Sequence, residues 1–349
     1  MAAGLDLAGA FYAQLVSPIL DGEPHAAALV GPGSEVLGYD DARSTDHDWG
    51  PRLLVLLPDD ASPRDVDELD DRLDRALPAQ FRSRPIRFRL AHDARLRHRV
   101  QVERRADWFR AQLGFDPLAL ITLADWIGAP TWRLREVVSG AVFHDADGAL
   151  TKSRSALAWY PDDVWRWMLA AQWQRIAQEE SFPGRCAEVG DLLGAGVLTA
   201  RIARELMRLW LLMARPYPPY AKWLGTAFAR LPGTGGVVAD LRFALAAADE
   251  PARERHLGAA LVATARRQNE LGLAAAPDPT LRRYFDRPYL VVGADRFATA
   301  LHEAIEEPAL RRLPLTGVVD QFVDSTDALG DAHRRQLFAA ALLPDGGAS

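Results

Sequence analysis

Cysteine and lysine are the scarcest reactive residues in this chain of 349 residues. Cys186 is the single cysteine, which excludes an intrachain disulfide and any zinc site built on several thiolates. One thiol suits a reducing cytosol, and a cytoplasmic location is expected. Lysine occurs only at Lys152 and Lys222, so 39 of the 41 basic residues are arginine. A bias of that size, with so much alanine, follows genome composition rather than chemistry. A lysine retained against it marks a position where a compact ammonium has value. Long apolar runs are also missing. The stretch Leu206–Ala214 is interrupted by Arg208 and falls short of the roughly 20 residues that a membrane span needs. The apolar N-terminus carries no Lys or Arg ahead of it and is broken by Asp6. It therefore reads as an amphipathic helix rather than an export signal, and no membrane association is expected. A net charge of −6 and a pI of about 5.8 disfavour a protein devoted to gripping a polyanion, so nucleic acid is not the expected partner.

What is present is ordinary globular composition, 49 % hydrophobic and 25 % charged, which excludes wholesale disorder and fibrous repeats. The length exceeds the roughly 250–300 residues that one core organises, so two domains are expected, at residues 1–150 and 151–343. The first third alternates helical and strand-like pieces. A helix over Ala8–Leu20 precedes an apolar run at Ala26–Val30 and a strand at Arg52–Leu57. Val66, Leu69, Leu73 and Leu77 then recur at helical spacing behind Pro63. Alternating strands are expected at Ile86–Leu90 and Arg99–Glu103, and a further one at Val137–Phe143 before the turn Asp145–Gly148. From Pro161 onward the period is helical, with breaks at 182–184, 215–219, 231–236 and 276–279. Five or six helices of 12–20 residues are expected there. The fold class is α+β: an α/β domain with a mixed sheet, then an all-α helical bundle.

The chemically informative segment is Gly31–Leu57, GPGSEVLGYDDARSTDHDWGPRLLVLL. Gly33-Ser34 follows a short apolar strand, and Asp46 and Asp48 lie twelve and fourteen residues beyond Ser34. Two carboxylates at i and i+2 on extended chain point to one side and suit divalent cations. A Gly-Ser turn presents backbone N–H groups and a hydroxyl to a phosphate tail. A triphosphate bridged by Mg²⁺ between the two is poised for in-line attack at its α-phosphorus. His47, between the aspartates, points away from that side.

This pattern resembles the DNA polymerase beta-like nucleotidyltransferase superfamily. More closely, SxDHDWGPRL, WYPDDVW, QEESFPGR, PPYAKWLGTAF and VDQFVDSTDAL look like a bacterial family known as domain of unknown function 4037, over Ser34–Leu329. The resemblance implies a polymerase beta-like nucleotidyltransferase domain followed by a helical domain, as in aminoglycoside nucleotidyltransferases. The resemblance supplies no substrate; with the residues above, the expectation is an enzyme that moves an NMP from an NTP, with ATP the expected donor, to a hydroxyl or other nucleophile of a small-molecule acceptor. Asp46 and Asp48 would hold Mg²⁺ or Mn²⁺, and Gly33 and Ser34 would cradle the phosphates. Active members place a third carboxylate on a neighbouring strand. Here Gln101 stands at that place, with Glu103 one step further on the same face. Either Glu103 serves, or two carboxylates suffice, or catalysis is impaired. The last case would leave a catalytically weak nucleotide-binding protein of regulatory or structural role; NMP transfer to a protein or RNA is the remaining alternative.

In the helical part, Glu179 or Glu180 is expected to act as general base toward the acceptor, as a second-domain carboxylate does in the aminoglycoside enzymes, with Asp191 a weaker candidate. Lys222, with Tyr217, Tyr220 and Trp223 around it, is expected to meet the polyphosphate while a ring stacks on the base, Tyr220 among them. The arginine-rich stretch Arg82–Arg105 reads as a solvated strand face with a secondary role toward phosphates. Asp320, Asp324 and Asp327 read as residues that cap or border helices.

Overall fold

The computed structural model describes residues 3–41, 50–89 and 96–343. The chain divides into two compact units, one of residues 1–125 and 132–158, the other of residues 126–131 and 159–349.

The first unit is built on a four-stranded mixed sheet of β1 (Ala26–Leu29), β2 (Leu53–Leu57), β3 (Val100–Arg104) and β4 (Ala141–Asp145), in the order β3-β2-β1-β4. Strand β2 runs antiparallel to β1 (Ala26 opposite Leu56, Ala28 opposite Leu54) and parallel to β3 (Leu54 opposite Gln101, Leu56 opposite Glu103). Its five residues, Leu-Leu-Val-Leu-Leu, are all buried. Such an unbroken apolar run marks a strand covered on both faces. Leu53, Val55 and Leu57 join Val100 and Val102 in one core cluster.

That core is closed by α1 (Ala3–Phe11) with the chain that continues it, and by α2 (Pro63–Ala76). Helix α2 starts where the sequence tells it to. Ser62 and Asp65 form a reciprocal capping box and Pro63 occupies the first turn. Leu69 and Leu73 face inward, and burying each contributes about 2–3 kcal/mol. A helix between β2 and β3 is also what a parallel pair requires, because no tight turn can join them. Helices α3 (Arg105–Leu113), α4 (Thr131–Val138) and α5 (Ala149–Ala156) come later in the chain.

The strand expected over Val137–Phe143 is divided. Val137 and Val138 end α4, and β4 starts only at Ala141. Gly140, at φ +76°, makes the corner: a Cβ there would overlap the carbonyl oxygen of Leu29, so the β-branched pair could not be read as strand from composition alone.

The second unit contains α6 (Asp162–Glu179), α7 (Phe182–Glu188), α8 (Leu192–Ala214), α9 (Ala221–Ala229), α10 (Gly235–Ala246), α11 (Glu250–Glu270) and α12 (Ala294–Glu303), followed by shorter helices. Only α6, α8, α10 and α11 reach twelve residues, and α8 and α11, at 23 and 21, exceed the expected range. The expected all-α character is broken by a two-stranded ribbon, Arg282–Arg283 with Leu290–Val291. Indole N–H groups tie the helices: Trp165 to the Leu212 carbonyl (2.9 Å), Trp173 to Gln268 (3.1 Å) and Trp210 to Thr264 (2.9 Å). Among the described residues no helix is long and apolar enough to cross a membrane.

Candidate functional site

The end of β1 and the starts of β2 and β3 meet at one end of the sheet, by register. Chain leaving β1 enters the Gly31–Ser34 turn there. The segment 42–49, which carries Asp46, His47 and Asp48, lies outside the described residues. Gly33 has φ +142° and Ser34 opens a helical turn closed by Tyr39 N–H donating to the Ser34 carbonyl at 2.8 Å. A Cβ on Gly33 would overlap the guanidinium of Arg52 and the carboxylate of Glu35. The positive φ favours glycine here, and against it lies an ion pair the sequence did not announce. Arg52 Nε donates to Glu35 Oε1 at 2.8 Å, and Arg52 Nη2 donates to the Pro32 carbonyl. Glu35 is 5 % exposed.

A second pair backs the first. Arg133 donates to Glu136 at 2.9 Å on α4, and Glu136 offers its backbone carbonyl to the N–H of Gly31. Burial pushes the Glu136 carboxyl up to about 7, against the pull of Arg133 and, more weakly, of Arg52. The Arg133 guanidinium also lies over the Trp132 ring, 4.4 Å from its centroid.

Beside this turn, within the first unit, lies a cleft of about 490 Å³ lined by Arg52, Arg97, Arg99, Gln101, Asp67 and Asp70, among others. Its size is typical of a small-molecule site. Three arginines line it, Arg52 before β2 and Arg97 and Arg99 from the arginine-rich stretch; Arg97 also pairs with Asp70 at 3.8 Å, and the Arg99 guanidinium lies 4.7 Å from the Phe88 ring centroid. On β3 the alternation expected from the sequence is present: Val100 and Val102 are buried, Gln101 is exposed and Glu103 half-buried. Gln101 Nε2 donates to Glu103 Oε1 at 2.5 Å, which leaves Glu103 Oε2 as the carboxylate oxygen not engaged by it. Among the described residues no three His, Cys, Asp or Glu side chains gather as a metal site. Asp46 and Asp48, the expected metal ligands, lie outside the described residues.

The candidate residues of the second unit are separately engaged. Glu179 is held by Arg201 through two hydrogen bonds, of 3.0 and 2.5 Å. Glu180, 9 % exposed, accepts three backbone N–H groups at the start of α12: Val292 (3.0 Å), Gly293 (3.2 Å) and Ala294 (2.8 Å). Burial nevertheless pushes its carboxyl up to about 7. Asp191 caps α8 by accepting from Gly194 N–H at 2.7 Å. Lys222 is exposed, with Nζ 4.9 Å from the Trp223 ring centroid, and the Trp223 indole donates to the Tyr220 hydroxyl at 2.8 Å. Tyr217 is not part of that group. It is buried, with its ring packed on Trp159 and Tyr160.

Asp320 borders helices as expected, in the first turn of Val319–Phe322 and at the start of α4, and it is buried as well. It is 2 % exposed and accepts from the Thr131 N–H (3.0 Å), the Thr131 hydroxyl (2.6 Å) and Arg208 (3.2 Å). No local sequence signal separates a buried acid of this kind from a capping one, because its partners lie 112 and 189 residues away.

Residues 126–224 match the family model described as domain of unknown function (DUF4037). The matched segment holds WYPDDVW, QEESFPGR and the PPYAKWL part of the next motif. It is shorter than the Ser34–Leu329 span read from the sequence and omits the Gly-Ser turn, the aspartates and VDQFVDSTDAL. No curated protein matches the chain. Among solved structures the chain is similar to a nucleotidyltransferase-like protein from Exiguobacterium sibiricum, at 14 % identity and a TM-score of 0.32, over 77 % of this chain and 78 % of that one.

Proposed function

We propose that the first unit binds a nucleoside triphosphate in the cleft at the sheet end and transfers its nucleoside monophosphate to a hydroxyl of a small-molecule acceptor. The observation that carries this reading is that Arg52, Arg97 and Arg99 line a 490 Å³ cleft whose wall includes Leu29 and Val30, just before the Gly33-Ser34 turn. Guanidinium forks match phosphate oxygens in charge and geometry. Asp46 and Asp48 would hold Mg²⁺ or Mn²⁺, which when bound neutralises the triphosphate and lowers the pKa of the attacking hydroxyl. The chain's own residues do the rest. The three arginines orient the polyphosphate. The acceptor oxygen forms its bond to the α-phosphorus as the bond to the bridging oxygen breaks, and pyrophosphate leaves. The hydroxyl proton passes to a carboxylate, for which Glu103 Oε2 stands on β3. ATP is the proposed donor. Glu179 and Glu180 have no part in this scheme, since Arg201 and three backbone amides already occupy their oxygens.

The test is binding of each NTP with and without Mg²⁺, read as a shift in thermal unfolding. A ligand at 100 times its Kd adds about 2.7 kcal/mol. A metal-dependent shift for one NTP that disappears in the Asp46→Asn/Asp48→Asn double variant is the expected result. No shift with any NTP at millimolar concentration would refute the reading.

A second reading, nucleotide binding without transfer, is favoured by one observation: a neutral amide, Gln101, stands where a third carboxylate belongs and takes up an oxygen of Glu103. Pyrophosphate release across a panel of hydroxyl acceptors separates the two readings. If only binding survives, Gln101→Glu is the substitution that should introduce release.

A further inference from the structure

Two buried arginines of this protein, Arg105 and Arg208, are closed off by carboxylates. Arg105 has Asp59, Asp116 and the Ser153 hydroxyl as acceptors. Arg208 has the Asp320 carboxylate and its backbone carbonyl. Arg52 is different. It has one carboxylate partner, Glu35, and one carbonyl, that of Pro32. Its Nη1 donates to nothing among the described residues, and its side chain, 18 % exposed, lines the 490 Å³ cleft. Glu35 in turn is buried against the turn and reaches the cleft only through Arg52.

We propose that Arg52 is a phosphate-binding residue of this cleft and that Glu35 is an internal stand-in for the phosphate, holding the guanidinium until a polyphosphate takes it over. This rests on the nucleotide-binding reading above and adds to it a residue and a built-in competitor. The physical basis is an exchange of one anion for another. A carboxylate offers two oxygens and one charge; a triphosphate offers more of both, and it approaches from the cleft that Arg52 lines. Gly33 permits this because the absence of a Cβ lets the guanidinium lie against the turn. Glu35 therefore weakens polyphosphate binding while Arg52 strengthens it.

That difference in sign separates the proposal from a purely structural ion pair, whose loss from either side would disorder the Gly31–Ser34 turn and weaken binding alike. The experiment is calorimetric titration of the full chain with inorganic tripolyphosphate, and separately with ATP and Mg²⁺, for wild type, Glu35→Gln, Arg52→Gln and Arg52→Lys. Each variant's thermal midpoint is measured alongside, and Arg52→Lys keeps a cation where Arg52→Gln fails to fold. Arg52→Gln is expected to weaken tripolyphosphate binding by about tenfold or more, the worth of one charged hydrogen-bonded contact. Arg52→Lys should recover part of that. Glu35→Gln is expected to tighten binding by about two- to fivefold, the scale of a part-exposed ion pair. Equal weakening by Glu35→Gln and Arg52→Gln, or no change in either Arg52 variant, would overturn the proposal while wild-type ATP binding stood. Wild type that binds neither tripolyphosphate nor ATP would overturn both this and the nucleotide reading.

Discussion

Replacing Glu180 is the most informative single perturbation of the second unit. Its carboxylate sits at the end of α6 and collects the three N–H groups of Val292, Gly293 and Ala294 that open α12. Two effects oppose each other there. Burial raises the carboxyl toward about 7, and the three amides lower it. With a folded value near 7 and an unfolded value of 4.5, the folded chain keeps a proton that the unfolded chain has released. Raising the pH across that interval therefore favours unfolding. The stability attached to this group is fully present below about 4.5 and is lost as pH rises through about 7. The interval corresponds to about 3 kcal/mol. Glu180→Gln cannot titrate, so the difference in unfolding free energy, wild type minus variant, should fall by that amount between pH 4.5 and 7.5 and then level off. Urea titrations followed by far-UV circular dichroism at several pH values read the difference, and amide hydrogen exchange over residues 290–300 shows whether the loss is local to α12. Glu180→Ala, which strands three buried N–H groups, should cost about 3–5 kcal/mol at any pH. A difference between wild type and Glu180→Gln that stays flat, or rises with pH, would show that the three amides outweigh burial and would refute the reasoning.

Three further outcomes follow from the same physics. Arg105→Met leaves the largely buried Asp116 without its cation, while Asp59 can turn to water; it should cost about 2–3 kcal/mol and couple with Asp116→Asn in a double-mutant cycle measured by urea unfolding. Asp320→Asn strips the counter-charge from Arg208, which is buried, and should cost about 3 kcal/mol or more, checked by thermal unfolding. Gly33→Ala introduces a Cβ that overlaps Arg52 and Glu35 at a φ that side chains avoid. It should cost about 1–3 kcal/mol and weaken tripolyphosphate binding in the same titration used for Arg52.

The elements of the first unit were largely legible. Helix α2 announces itself by its Ser-Pro-x-Asp start and apolar spacing, and β2 by an unbroken apolar run between prolines; both signals are local. The alternation that places Gln101 opposite the core is local too, since neighbouring strand residues point to opposite faces whatever surrounds them. The lengths of the helices after Pro161 were less so, because Asp191 and Asp249 cap by contacts whose strength depends on what the following turns pack against.

Sequence by itself determined the α+β class, the strand faces and the glycine at the turn, because propensity, periodicity and capping act over a few residues. It could not determine why Gly33 is glycine, which arginines of many face a cleft, or that Glu180 and Asp320 are buried acceptors. Those depend on residues far apart in the chain: Arg52 reaches back 17 residues to Glu35, and Glu180 holds amides 112 to 114 residues away. A charged side chain has no intrinsic role. Its pairing and its burial fix what it does, and both are decided only when distant segments close on one another.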